Sequence, residues 1–69
     1  MKIDLDTDAD AAYIYLEDKI EDGGVARTIE VNHNFIIDFD KEGRPLGIEI
    51  LNASKNLSPE LLKSACILE

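Results

Sequence analysis

The residues best equipped for chemistry in this sequence are carboxylates. Asp4, Asp6, Asp8 and Asp10 recur at every second position, and Glu17 follows them. Counted from Asp6, the run reads D-x-D-x-D with an acid at the twelfth place, the donor spacing of an EF-hand calcium loop. Two features oppose that chemistry. The sixth place is Ala11, where the loop's sharp turn needs glycine, and the flanks alternate as strands where an EF-hand needs helices. Asp6, Asp8 and Asp10 stand as the candidate metal ligands; the plainer reading is a solvated acidic hairpin.

The remaining reactive side chains have local explanations. His33 is the single histidine and falls in a predicted turn, with no Cys or Ser near it in sequence. Cys66 is the single cysteine, on the apolar stripe of a predicted helix, where a buried thiol is inert. Ser54, Ser58 and Ser64 read as turn, helix cap and surface. Gly23-Gly24 lacks the following helix that a phosphate loop requires. No catalytic residue and no cofactor is assigned, and the expectation is a protein that is not an enzyme.

These groups sit on elements that the hydrophobic periodicity defines. Alternation of period two predicts strands over residues 2–6, 11–17, 25–32, 35–40 and 46–51. Ile3 and Leu5, Ala12 and Ile14, Phe35 and Ile37, and Ile48 and Ile50 take the inward parity. Arg27 also falls on apolar parity, so either a bulge shifts the register there or its guanidinium reaches the end of the sheet. Asn32-His33-Asn34 is a tight turn, and Gly43 takes the left-handed position of the next one. Ser58, Pro59 and Glu60 mark the start of a helix over residues 59–67, with Leu57 and Leu62 placed to close a hydrophobic staple. The expected fold is α+β: a single antiparallel sheet of about five short strands, two hairpins joined by a middle strand, and one C-terminal helix.

An internal echo supports the hairpins. Ile3-Asp4-Leu5-Asp6 resembles Ile37-Asp38-Phe39-Asp40 at an offset of 34 residues, and Ala12, Ile14 and Leu16 match Leu46, Ile48 and Ile50 at the same offset.

Length and composition narrow the function. A chain of 69 residues holds one domain, and 45% hydrophobic residues suffice for a small core. A lone cysteine excludes an internal disulfide. The start Met1-Lys2-Ile3-Asp4 does not read as a signal peptide, and no apolar run reaches the roughly 20 residues of a membrane helix, so a cytoplasmic location without membrane contact is expected. Fifteen acids against seven bases give a net charge of −8. That balance argues against direct nucleic-acid binding, which needs a basic patch, and suits a basic protein partner.

The quantity in shortest supply is cover. Five strands about 4.8 Å apart make a sheet roughly 24 Å wide, whereas a helix about 10 Å across shields around two of them. The remaining inner face, with Ile3, Leu5 and Ile14, needs other cover, which a strongly curled sheet could supply; the expected cover is a second copy of the chain, face to face or edge to edge, giving a homodimer. Tyr13 and Tyr15 make their strand apolar on both sides; with Ile36 and Leu51, also off the inward parity, they are the candidate interface residues.

Several segments are also familiar as a set: Asp6-Thr7-Asp8-Ala9-Asp10-Ala11-Ala12-Tyr13-Ile14, Ala26-Arg27-Thr28-Ile29-Glu30-Val31, Ile37-Asp38-Phe39-Asp40-Lys41-Glu42-Gly43-Arg44, and Gly47-Ile48-Glu49-Ile50-Leu51-Asn52-Ala53-Ser54. Together they resemble the domain of unknown function family 2283, over roughly Ile3 to Ser54. The resemblance implies a small cytosolic prokaryotic protein without an assigned activity. Members of this kind sit beside small toxin-like genes, which implies an antitoxin-like or partner-binding role. The leading expectation is a non-catalytic protein-binding or self-assembling module; the alternative is a divalent-metal (calcium) binder on the acidic hairpin or an unrecognised enzyme.

Overall fold

The computed structural model describes residues 2–68. The elements are β1 (Lys2–Asp6), β2 (Ala11–Tyr15), β3 (Arg27–Val31), β4 (Phe35–Phe39), β5 (Pro45–Leu51), α1 (Ala53–Asn56), α2 (Pro59–Ser64) and β6 (Cys66–Leu68). All strands form one sheet in the order β3-β4-β5-β2-β1-β6. Neighbours pair antiparallel except β1 and β6, which run parallel. The class is α+β, as expected, but the sheet is mixed rather than antiparallel, with six strands rather than five, and two short helices replace the single one.

The two hairpins, β1–β2 and β4–β5, are present and meet directly through β2 and β5. The strand between them in sequence, β3, does not join them in space but forms an edge. The reason is polarity: β3 offers Arg27, Thr28 and Glu30, which suit an outer position better than the centre of the sheet, whereas β2 and β5 supply the buried Ala12 and Ile50.

The 34-residue echo extends to the pairing itself. Ile3 pairs with Ile14, and 34 residues later Ile37 pairs with Ile48; Lys2 pairs with Tyr15, and Ile36 with Glu49. At the centre Ile14 faces Ile48. The four inner strands are therefore related by an approximate two-fold axis between those two isoleucines. The turns follow suit. Asp6 Oδ1 accepts the N–H groups of Asp8 and Ala9, and Asp40 Oδ1 accepts those of Glu42 and Arg44.

Bulges shorten two predicted strands. The N–H groups of Leu16 and Glu17 both donate to the Leu46 carbonyl, so β2 ends at Tyr15 instead of continuing to residue 17. Ala26 donates to the Phe39 carbonyl although Arg27 is the partner of Phe39, so two residues face one, and β3 begins at Arg27 rather than at residue 25. The bulge stands before Arg27, and the unbroken ladder from Arg27 to Val31 keeps Arg27 on the face of Ile29 and Val31, exposed at the end of the strand. Asn32 and His33 take positive φ (54° and 59°), as does Gly43 (80°), in the turns expected to need it.

The predicted helix over 59–67 stops at Ser64. Its start is as expected: Ser58 Oγ accepts the Leu61 N–H at 3.2 Å, Pro59 opens the helix and Glu60 lies in the first turn. Ala65 then turns extended (ψ 147°), and residues 66–68 become β6 along β1. A helix this short has little cooperative stability, and the free edge of β1 offers backbone partners to Cys66–Leu68 in its place. Cys66 is consequently exposed, not buried on a helical stripe. The unexpected helix α1 begins after Asn52, whose left-handed backbone (φ 53°) turns the chain onto the sheet.

Both helices cover one face. Ile3, Ala12, Ile50, Ala53 and Leu57 form the buried cluster, with Leu5, Ile14, Phe35, Ile48, Leu62 and Ala65 packed around it. The cover is centred on β1, β2 and β5; Val31 on β3 stays 46% exposed.

Candidate functional site

Strand alternation assigns the other face, which no helix covers. It carries Lys2, Asp4 and Asp6 from β1, Tyr13 and Tyr15 from β2, Gly47, Glu49 and Leu51 from β5, Ile36 and Asp38 from β4, and Thr28 and Glu30 from β3. All four candidate interface residues, Tyr13, Tyr15, Ile36 and Leu51, fall on this open face.

Its centre is a hydrogen-bonded network laid over a glycine. The Tyr13 hydroxyl donates to Asp38 Oδ2 at 2.8 Å, and Thr28 Oγ1 donates to Asp38 Oδ1 at 2.9 Å. To reach Asp38 from β2, the Tyr13 ring crosses β5 at Gly47, where a Cβ would collide with it. Burial, and after it the bond to the Asp38 carboxylate, pushes the Tyr13 phenol far above its ordinary value. A phenol so firmly protonated is a fixed donor and is not poised to exchange a proton near neutrality. Tyr15 meets Tyr13 edge to face, with ring centroids 4.8 Å apart. Lys2 Nζ lies 4.9 Å above the Tyr15 ring and 3.9 Å from Asp4 Oδ2. Beside these rings a shallow groove of about 290 Å³ runs between Asp4, Asp6, Tyr15, Glu49 and Leu68.

The candidate metal ligands are dispersed by local bonding. Asp6 closes the turn after β1. Asp10 (φ 52°) lies at the other end of that turn and serves α1: its carboxylate accepts the Ser54 N–H at 3.0 Å and the Ser54 hydroxyl at 2.7 Å, and its carbonyl accepts the Ala53 N–H. Asp8 is exposed between them. Among the described residues no three of His, Cys, Asp or Glu are gathered as a metal-binding group. His33 is exposed in its turn, 3.5 Å from Glu30.

Three contacts were missing from the sequence reading. The Tyr13–Asp38 bridge had a signal in Gly47, a glycine at mid-strand on the parity of two tyrosines, which marks a close approach of an aromatic ring. The contacts of Asp10 with Ser54 and of Asn52 with Asn34 (3.1 Å) had none, since each spans two elements whose juxtaposition depends on the whole sheet.

A second hollow of about 440 Å³ lies between the loop before β3 and the turn before β5, lined by Ile20, Gly24, Ala26, Asp40, Arg44 and Leu46. Arg44 does not project freely into it, because its Nε donates to Asp40 Oδ2 at 2.9 Å. Hydrogen bonds from the Arg44 backbone and then from its guanidinium hold the Asp40 carboxyl below its ordinary value. No helix among the described residues is long and apolar enough to cross a membrane.

Neither the curated proteins nor the solved structures contain a match to this chain. A family model does match, that of a protein of unknown function (DUF2283), and it spans residues 2–54. The matched stretch contains both hairpins, the edge strand β3, the Tyr13–Asp38 bridge over Gly47, and Ser54 with its tie to Asp10, and stops before α2 and β6. Covering well over half of the chain, that match makes this protein a member of the DUF2283 family.

Proposed function

We propose that this protein is a non-catalytic module that assembles with a second copy of itself and presents its open face to a partner protein. One observation carries the self-assembly: the chain exposes more surface than its mass requires. Its accessible area is 4994 Å². A compact monomer of this mass has about 4,300 Å² by the general scaling of area with mass. The excess, roughly 650 Å², approaches the roughly 800 Å² that each partner contributes to an interface of standard size. Apolar side chains share in it, with Leu16, Val25, Val31, Leu61, Ile67 and Leu68 all at least 40% exposed. Light scattering on the purified protein at micromolar concentration should return twice the 7.7 kDa chain mass. A mass of one chain overturns the self-assembly.

The charge of the open face supports the partner. Its strands carry Asp4, Asp6, Glu30, Asp38 and Glu49 against the single cation Lys2, within a chain of net charge −8. A basic protein complements that face, as expected of an antitoxin-like protein that holds a toxin. Co-expression with the product of the adjacent gene, followed by co-purification at low salt, tests this; the absence of a complex overturns it.

A further inference from the structure

We propose that the self-assembly just described, on which this inference rests, is an edge-to-edge union of sheets: β3 pairs antiparallel with the β3 of a second copy, across a two-fold axis at Ile29.

The sheet has two edges. The β6 edge has three described residues, Cys66–Leu68. The β3 edge has five, Arg27–Val31, and contains neither the proline nor the lysine that usually blunts an open edge. The hydrogen-bond phase shows which of its groups are free. The Leu51 N–H donates to the Asn34 carbonyl, so the even-numbered residues of β4 bond to β5. By alternation Phe35, Ile37 and Phe39 turn their backbone groups toward their partners Val31, Ile29 and Arg27. Thr28 and Glu30 are left with N–H and C=O directed away from the sheet.

Those two residues are self-complementary. When Ile29 lies opposite its own copy, Thr28 exchanges both main-chain bonds with the second copy's Glu30, and Glu30 does the same with the second Thr28. The two isoleucines then form a non-hydrogen-bonded pair, with Cα atoms about 4.5 Å apart. Arg27 falls opposite Val31, so no like charges meet. Shifting the register by one pairing step in one direction sets Glu30 against Glu30, which is repulsive, and in the other sets Thr28 against Thr28 and loses overlap. Charge also selects this surface over the open face. One Arg and one Glu make β3 neutral, whereas apposed open faces would bring two acidic surfaces together. Val31, 46% exposed, gains cover from the Arg27 side chain opposite it at such a junction.

The test uses the full chain with Cys66→Ser, so that no native thiol competes. In that background Ile29→Cys should oxidise to a disulfide-linked dimer under mild oxidant, because a non-hydrogen-bonded antiparallel pair brings the two Cβ atoms within reach of a disulfide, while Lys55→Cys on α1 should remain monomeric on a denaturing gel. Glu30→Pro removes an outward N–H and leaves the bonds to β4 in place, so it should shift the mass by light scattering from two chains to one while the circular dichroism is retained. A native dimer that neither cross-links at position 29 nor responds to Glu30→Pro overturns the edge geometry and leaves self-assembly standing. A native monomer overturns both.

Discussion

Tyr13 lies across Gly47, and its hydroxyl lands on Asp38 of the strand beyond. Three strands are thereby tied together on a face that has no helix. The arrangement needs a strand position without a side chain, and Gly47 supplies it at the cost of backbone entropy.

The tie makes Gly47→Ala a test of packing. The new methyl would displace the Tyr13 ring and break its bond to Asp38, so the variant should lose about 1–3 kcal/mol in urea denaturation. In a Tyr13→Ala background the space is open and the same change should be near neutral. Equal losses in the two backgrounds would show that the ring does not occupy that space.

Tyr13 should also titrate late. Its folded pKa lies above the unfolded value of 10.0. The stability it contributes is thus complete below pH 10.0 and lost as pH rises through the folded value. Ultraviolet titration of the wild type and of Tyr13→Phe should differ by a phenolate signal that emerges only above the ordinary tyrosine range. A difference signal centred at the ordinary tyrosine pKa would refute the buried donor.

Asp10 and Asp8 should behave differently although they belong to one acidic run. Asp10→Ala removes both acceptors of Ser54 and should cost about 1–2 kcal/mol, as the loss of a helix N-cap does. Asp8→Ala, at an exposed turn position, should cost less than about 0.5 kcal/mol. Calcium should not shift the amide resonances of Asp6 to Glu17; saturable shifts that both substitutions abolish would restore the metal reading.

Asp40 contributes to the acid limb. Its folded pKa is below 3.8. Its contribution to stability is therefore present above that pH and disappears as pH falls through the folded value. Asp40→Asn should flatten the acid limb of thermal stability while leaving the difference from wild type constant above pH 5 or so, since unperturbed carboxylates are ionised there. An unchanged acid limb would place the titrating group elsewhere.

Much of the fold was legible because period-two alternation and turn chemistry are local. Both hairpins, the left-handed Gly43 and the Ser58 cap follow from neighbours in sequence. The side of the sheet was legible too, since alternation alone puts the four candidate interface residues on one face; which face stays open was not, because α1 and α2 cover the inner residues Ile3, Leu5 and Ile14 that were expected to need a second copy. The C-terminus was not, since Leu61, Leu62, Ala65 and Cys66 satisfy a helical stripe equally well when the helix ends at Ser64 and the chain goes on as a strand. The Asp6–Asp10 run looked like a ligand set because spacing reports neither an Asx turn nor a partner 44 residues away.

By itself the sequence determined the hairpins, their 34-residue echo and the acidity of the chain, all properties of residues and their spacing. Only the tertiary structure decided that β2 meets β5 at Ile14 and Ile48, that β3 becomes an edge, and that the edge of β1 captures residues 66–68. Those choices depend on which unpaired backbone edges and apolar faces meet once the chain has collapsed, a competition between distant segments that no local pattern records.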